Sequence, residues 1–258
     1  MLNVRLFDSF RVSLKRGDRL LGAGLLGILG LCFAVPASAG NFSVTPVRIY
    51  MASRERATAV TVTNEGADEL VMQADIYEWK QTPDGQELLT LSEDMILSPP
   101  ILKMAPRSRQ VVRLISLIGP VTDQQHTYRM IAREVPEAKS DRSDLQLQIA
   151  YAFSIPIFIT PPGALARLDC TLARVALDVV KAVCQNAGAA AAHPIALQIN
   201  NSALENVASQ DSGAYILPGV TRSFDLKRKE GTIPAGKTRL VVSMSDGTSQ
   251  SYDTILNE

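Results

Sequence analysis

The run LQLQIAYAFSIPIFITPPG, residues 145–163, constrains this chain more than any other stretch. From Leu145 to Ile157 every second residue is large and apolar: Leu145, Leu147, Ile149, Tyr151, Phe153, Ile155 and Ile157. The positions between them are mostly small or polar: Gln146, Gln148, Ala150, Ala152 and Ser154. A period of two is that of a β-strand with one apolar face. The run is long beside the ordinary strand of about 5–6 residues. Pro156 interrupts it with a residue that has no N–H for a ladder, which suits an edge strand or a bulge. A long apolar edge strand invites unwanted pairing, so the run asks what such a strand is for.

The remainder of the chain is also β in pattern. Past residue 40 there is no sustained helical periodicity, and short alternating runs are separated by turn residues, as in a sandwich. ATAVTVTN ends at Asn64, with Glu65-Gly66 as a turn. ELVMQADIYEWK alternates through Leu70, Met72, Ala74 and Ile76, and TPDGQ turns at Asp84-Gly85. LSPPILKMAPRSRQVVRLI carries a proline pair, a short edge-like run, a turn and a strand at Gln110–Ile115; TYRMIAREVP alternates again. TPPG, Thr160 to Gly163, reads as a short stiff hinge. Beyond it ARLDCTLARV, ALDVVKAVCQNA, IALQINNSALENV, TRSFDLKR, TRLVVSMSD and SQSYDTIL read as six strands, with GAAAAHP a low-complexity loop and SDGT a hairpin turn. Two sandwiches of about 120 and 95 residues follow, a normal size for domains.

The first 39 residues stand apart. Arg5, Arg11, Lys15, Arg16 and Arg19 precede an apolar stretch from Leu20 to Val35 and a small-residue site at Ala37-Ser38-Ala39. This is the pattern of a secretory signal peptide; an uncleaved anchor is the other reading, against which the apolar run is short for a span. Setting aside its five basic and two acidic residues leaves 21 Lys/Arg against 24 Asp/Glu. That mild negative charge argues against a nucleic-acid protein. Export places Cys170 and Cys184 in an oxidising compartment, where they read as a disulfide closing a hairpin-sized loop. A metal pair is the alternative; it would need further ligands, and the histidines are His126 and His193.

No catalytic constellation stands out. GAGLLG, Gly22 to Gly27, matches G-x-G-x-x-G but falls inside the leader, outside any strand–turn–helix context. The two histidines lie in no recognisable nucleophile or zinc spacing. Neither an enzyme, a metal nor a cofactor is expected. Arg48 in VTPVRIYM, Arg113 in QVVRLI and Glu134 in AREVP are charges within apolar strands. They are either solvent-facing groups or candidates for pairing and ligand binding.

Four elements in order, FSVTPVRIY, SPPILKMAPRSRQVVRL, YRMIAREVPE and LQLQIAYAFSIPIFITPPG, resemble the periplasmic pilus-assembly chaperones of the chaperone–usher pathway. SIPIF is most similar to the archaic, spore-coat-U-type branch. The resemblance covers about 42–163 in its motifs and 164–258 in architecture alone. It implies an all-β protein of two immunoglobulin-like β-sandwich domains in a boomerang arrangement. The boundaries are then a signal peptide at 1–39, a chaperone domain at 40–160, a hinge at 161–163 and a second sandwich at 164–258. It implies a periplasmic, non-enzymatic chaperone whose partners are pilin or fimbrial subunits and an outer-membrane usher, with a self-capping dimer as one way to cover the free strand. Such chaperones lend a strand to a subunit that lacks one.

On this resemblance Leu147, Ile149 and Tyr151 match the donor positions, flanked by Leu145 and Phe153. Packing within the first domain is the alternative for that face. Arg48 matches the arginine that holds the subunit's terminal carboxylate, a bidentate task suited to arginine. Its usual lysine partner is replaced here by Pro156. Arg113 and Glu134 match an interdomain salt bridge, with Asp246 as third member; ordinary surface charges are the alternative. The competing functional reading is an exported β-sandwich that self-assembles as a structural or adhesin protein.

Overall fold

The structure, a computed structural model, describes residues 42–135 and 150–257. The expected signal peptide, and the expected donor residues Leu145, Leu147 and Ile149, lie outside these.

The first ten strands are β1 (Phe42–Thr45), β2 (Ile49–Ala52), β3 (Ala57–Asn64), β4 (Leu70–Gln81), β5 (Glu87–Leu91), β6 (Met95–Ser98), β7 (Ile101–Met104), β8 (Arg109–Ser116), β9 (His126–Glu134) and β10 (Ala152–Thr160). They build one sheet in the order β1-β3-β8-β6 and a second in the order β2-β10-β9-β4-β5, with β7 also against β4. The alternating residues read from the sequence face inward: Val60 and Val62 of β3, Met72, Ala74 and Ile76 of β4, Leu114 of β8, Met130 of β9, and Ile155, Ile157 and Ile159 of β10 are buried between the sheets. Each of the larger side chains contributes about 1.5–3 kcal/mol on burial. The chain changes sheets between β1 and β2, across Pro46, Val47 and Arg48. Asn64 closes β3 as a buried Asx turn: its Oδ1 accepts from Gly66 N at 2.9 Å and its Nδ2 donates to Asp68 O at 2.8 Å.

The last seven strands are β11 (Leu168–Ala176), β12 (Val179–Asn186), β13 (Pro194–Asn201), β14 (Asn206–Asp211), β15 (Thr221–Lys227), β16 (Gly236–Met244) and β17 (Ser249–Leu256). Their order is β11-β12-β15-β14-β13-β16-β17, but β14 and β15 touch through one pair, Ser209↔Lys227. That weak corner divides the strands into two layers. At the far ends the layers meet again, where Leu168 N donates to Gln250 Oε1 and Tyr252 OH to Leu168 O. Cys170 and Cys184 are directly paired across β11 and β12 and are bonded, with Sγ–Sγ at 2.08 Å.

Three sequence expectations differ from these strands. IALQINNSALENV is two strands, because Asn201 Oδ1 accepts from Ala203 N and Glu205 N and turns the chain. ELLTL forms β5, whose five residues are all exposed and carry no alternation to read. Among the described residues the long run starts its strand at Ala152 and continues to Thr160.

Candidate functional site

Strand β10 is held on one side along its whole length and on the other along half of it. It pairs antiparallel with β9 from Ala152↔Arg133 to Ile159↔His126. On its opposite edge β2 pairs with it in parallel from Ile157↔Ile49 to Thr160↔Ala52. The edge from Ala152 to Pro156 therefore has no neighbour among the described residues. Glu134 N donates to Tyr151 O at 2.8 Å. Since backbone groups alternate sides along a strand, Phe153 and Ile155 point theirs at β9, while Ala152, Ser154 and Pro156 point theirs at the open edge. Pro156 thus loses no bond to β9.

Side chains follow the complementary alternation. Phe153, Ile155 and Ile157 face the inter-sheet core, and Phe153 lies 5.5 Å from Phe42 of β1. Tyr151, 41% exposed, is edge-on to Phe42 at 6.1 Å. Phe42, Tyr151 and Phe153 make an aromatic lip where the two sheets part.

The other face of β10 meets the second sandwich. Phe158, 1% exposed, packs with Trp79 and Tyr215 at ring distances of 6.1 and 5.5 Å, inside the core that the last seven strands form. Tyr50 of β2 stacks on Phe158 from outside at 5.3 Å. His193 lies flat on Tyr215, rings 3.9 Å apart and 5° from parallel. Tyr50, Phe158, His193, Tyr215 and Met244 line a cavity of 430 Å³. Arg48 stands at the head of β2, half-buried, and its charge is felt by both His193 and Tyr215. Burial pushes the His193 pKa below its ordinary value; the Gly213 carbonyl, 3.2 Å from Nε2, works against this and Arg48 adds to it. Burial pushes the Tyr215 hydroxyl up, and Arg48 pulls it partly back.

The expected interdomain triad is not brought together. Arg113 points outward from β8 and is exposed; Glu134 accepts from Tyr151 N through Oε2 at 3.2 Å; Asp246 closes its own turn by accepting from Thr248 N and Oγ1. Among the described residues none of the three makes an ion pair. Glu134 and Asp246 are satisfied locally, while Arg113 lies exposed on β8, in the sheet that does not contain β10.

Residues 41–165 match the family model of the pili and flagellar-assembly chaperones, PapD N-terminal domain. Over that stretch the chain is similar to the PapD N-terminal domain. Among curated proteins it is similar to the probable fimbrial chaperone protein ElfD of Escherichia coli K12, 25% identical over 152 residues. That match covers 56% of this chain and 62% of the relative; for ElfD of E. coli O157:H7 the shares are 59% and 66%. The chain thus spans less than two thirds of the curated relatives it matches. In fold it resembles a chain of the CsuC–CsuE chaperone–tip adhesion subunit pre-assembly complex from the archaic Csu pili of Acinetobacter baumannii. There the TM-score is 0.60 at 19% identity, over 84% of this chain and 99% of that one. It also resembles the E. coli chaperone DraB, with a TM-score of 0.53 at 16% identity over 84% and 96%. Both are built from two immunoglobulin-like sandwiches, the fold class of this chain.

Three side chains of the first sandwich carry roles that sequence patterning does not mark. Arg129 of β9 lies opposite Pro156 and places its guanidinium 3.8 Å from the centre of the Trp79 ring. Its Nη2 is 2.8 Å from Glu87 Oε1, and its Nε is buried with no acceptor among the described residues. Gln81 and Gln125 reach across to the second sandwich. In the sequence these are unremarkable polar residues near strand ends; the Trp79 beside Gln81, the one tryptophan of the chain, is the nearest thing to a signal.

Proposed function

We propose that this chain is a periplasmic chaperone that binds pilus subunits by β-strand donation and passes them to an outer-membrane usher. The observation that carries this reading is the half-free edge of β10. An incoming strand beside Ala152–Pro156 would find open backbone groups, and above them the apolar side chains of the same strand. Tyr151 and Phe153 continue inward the alternation that Leu145, Leu147 and Ile149 begin. The family match over 41–165 and the leader-like first 39 residues support the compartment and the pathway.

In this reading the guest strand runs parallel to β10. On this edge a guest lies end to end with β2, which runs parallel to β10. A guest running the same way arrives with its C-terminus at Arg48, and its carboxylate meets a cation there. Arg129, across from Pro156, is the second cation of this reading, in place of the lysine that Pro156 displaces.

The test is coexpression with a fimbrial subunit followed by purification of the complex. The wild-type chain is expected to copurify with the subunit, and Ile149→Arg to remain folded and lose it. Undiminished capture by Ile149→Arg overturns strand donation. Fibres or large polymers of the purified chain alone would favour a self-assembling protein instead.

A further inference from the structure

Two segments of the second sandwich face the first: residues 188–193, before β13, and residues 215–220, before β15. They are tied to one another by the Ala192↔Ile216 bridge, with both N–H···O distances 2.9 Å. Asn186, fully buried, braces them from within, donating through Nδ2 to Ala190 O and to Ile216 O at 2.8 Å each. The pair of segments is therefore one stiff unit, and whatever grips it sets where the second sandwich stands.

Two glutamines of the first sandwich grip it. Gln81, the last residue of β4, accepts from Leu217 N through Oε1 at 3.0 Å and donates from Nε2 to Tyr215 O at 3.1 Å. Its amide thus satisfies residues 215 and 217 as a neighbouring strand would. Gln125, 8% exposed and just before β9, uses three groups. Its N donates to Ala189 O at 2.8 Å and its Oε1 accepts from Ala191 N at 2.9 Å. Its Nε2 donates to Thr160 Oγ1 at 2.7 Å, at the point where β10 ends and the connection begins. A further backbone bond, Thr221 N to Pro83 O at 3.0 Å, lies beside Gln81. There the turn of Gly85 presses on Arg222 so closely that a Cβ would sit 2.7 Å from Arg222 Cγ. Among the described residues no ion pair crosses this contact; of the three charges expected to form one, Glu134 and Asp246 are engaged elsewhere and Arg113 is exposed on β8.

We propose that Gln81 and Gln125 are positioning residues that fix the second sandwich against the first by neutral, bidentate amide contacts. They thereby set the opening of the cleft lined by Tyr50, His193 and Tyr215, beside which Arg48 stands. A neutral amide supplies one acceptor and two donors in a fixed plane. It specifies orientation without the salt sensitivity of an exposed ion pair. The consequence for subunit capture rests on the chaperone reading; the orientation itself does not.

The test measures orientation directly and needs no subunit. Spin labels on Lys103→Cys and Lys229→Cys, both exposed and one in each sandwich, report the inter-sandwich distance by pulsed EPR. In the otherwise wild-type chain a single narrow distribution is expected, unchanged between about 0.05 and 1 M salt. Gln81→Glu keeps the acceptor for Leu217 N but turns an anionic oxygen toward Tyr215 O. Its distribution is expected to broaden at neutral pH and to narrow again at about pH 4, where a protonated carboxyl donates once more. Gln125→Leu is expected to broaden it at every pH, with amide-exchange protection of β3 and β12 retained. If a variant fails to fold, Gln81→Asn or Gln125→Asn, one methylene shorter, gives the same readout. Unchanged distributions in the variants, or a wild-type distribution that shifts with salt, overturn the proposal. Narrow distributions combined with lost subunit capture would locate a fault in the chaperone reading's binding site instead.

Discussion

Pro156 stands directly opposite Arg129 across the β9–β10 pair, so the one position of β10 without a backbone donor faces the guanidinium that stacks on Trp79. The cation–π contact and the Glu87 pair hold that guanidinium in place, and its side chain is 14% exposed. Its Nη1 also donates to Ser154 Oγ of β10 at 3.3 Å, so the guanidinium is held beside that strand without being free to wander.

Arg48→Ala and Arg129→Leu are each expected to weaken binding of a subunit, or of a peptide copying its last strand, about ten-fold or more, since hydrogen bonds to charged groups are worth about 1.5–3 kcal/mol. On the proposed reading both cations would serve one carboxylate, so the double variant should lose less than the product of the singles. Isothermal titration reads all three. A Kd for Arg129→Leu equal to that of the wild type would leave Arg129 as a packing residue only.

Tyr151 and Phe153 divide stability from binding. Phe153 packs against both inter-sheet clusters, so Phe153→Ala is expected to lower unfolding stability by about 2–4 kcal/mol, near the lower end of Phe→Ala values. Tyr151 is 41% exposed, and Tyr151→Ala should change stability by less than about 1 kcal/mol while weakening capture. Urea denaturation beside a capture assay separates them; equal stability losses would contradict the division.

The division bears on what the sequence makes legible. The alternation around β10 names the correct core residues because burial between two sheets imposes a period of two. The same logic finds Asn64, the Asp84-Gly85 turn and the inward residues of β4. It cannot find the half-free edge, which depends on β2, a strand that arrives from about a hundred residues earlier and covers only Ile157–Thr160. It misses β5 because an exposed strand has no face to mark. It misses Gln81 and Gln125 because a glutamine amide leaves no periodic trace, and Gln81 meets residues 134 and 136 positions away. Charges within strands draw the eye instead. Arg113, Glu134 and Asp246 do so, yet Glu134 and Asp246 are satisfied locally and Arg113 faces outward.

The disulfide closes a loop of 14 residues. Its loss in Cys170→Ala/Cys184→Ala is expected to destabilise the second sandwich by about 3 kcal/mol through the added freedom of the unfolded chain. Amide exchange should rise across β11 and β12 while β3 and β8 keep their protection. No change in β11 and β12 would contradict this.

His193 gives the contact a pH dependence. Its folded-state pKa is depressed by burial, with the Arg48 charge adding to it, so the neutral ring is favoured in the fold. The stability it contributes is fully present above the unfolded-state value of about 6.5 and is lost as the pH falls through the depressed folded value. The wild type should therefore lose more thermal stability than His193→Gln between about pH 7.5 and pH 5. Parallel Tm curves for the two would remove His193 from the account.

The open edge of β10 is graduated. It presents N–H groups at Ala152 and Ser154, none at Pro156, and then the first residue of β2. A strand sliding along a uniform ladder meets equivalent rungs at every step of two. Here a slip toward β2 would lay a carbonyl against a proline ring and forgo a hydrogen bond worth about 0.5–1.5 kcal/mol net, before β2 itself blocks the way. The strand offers any visitor a scale with a fixed zero, so register is set by the backbone as well as by the side chains.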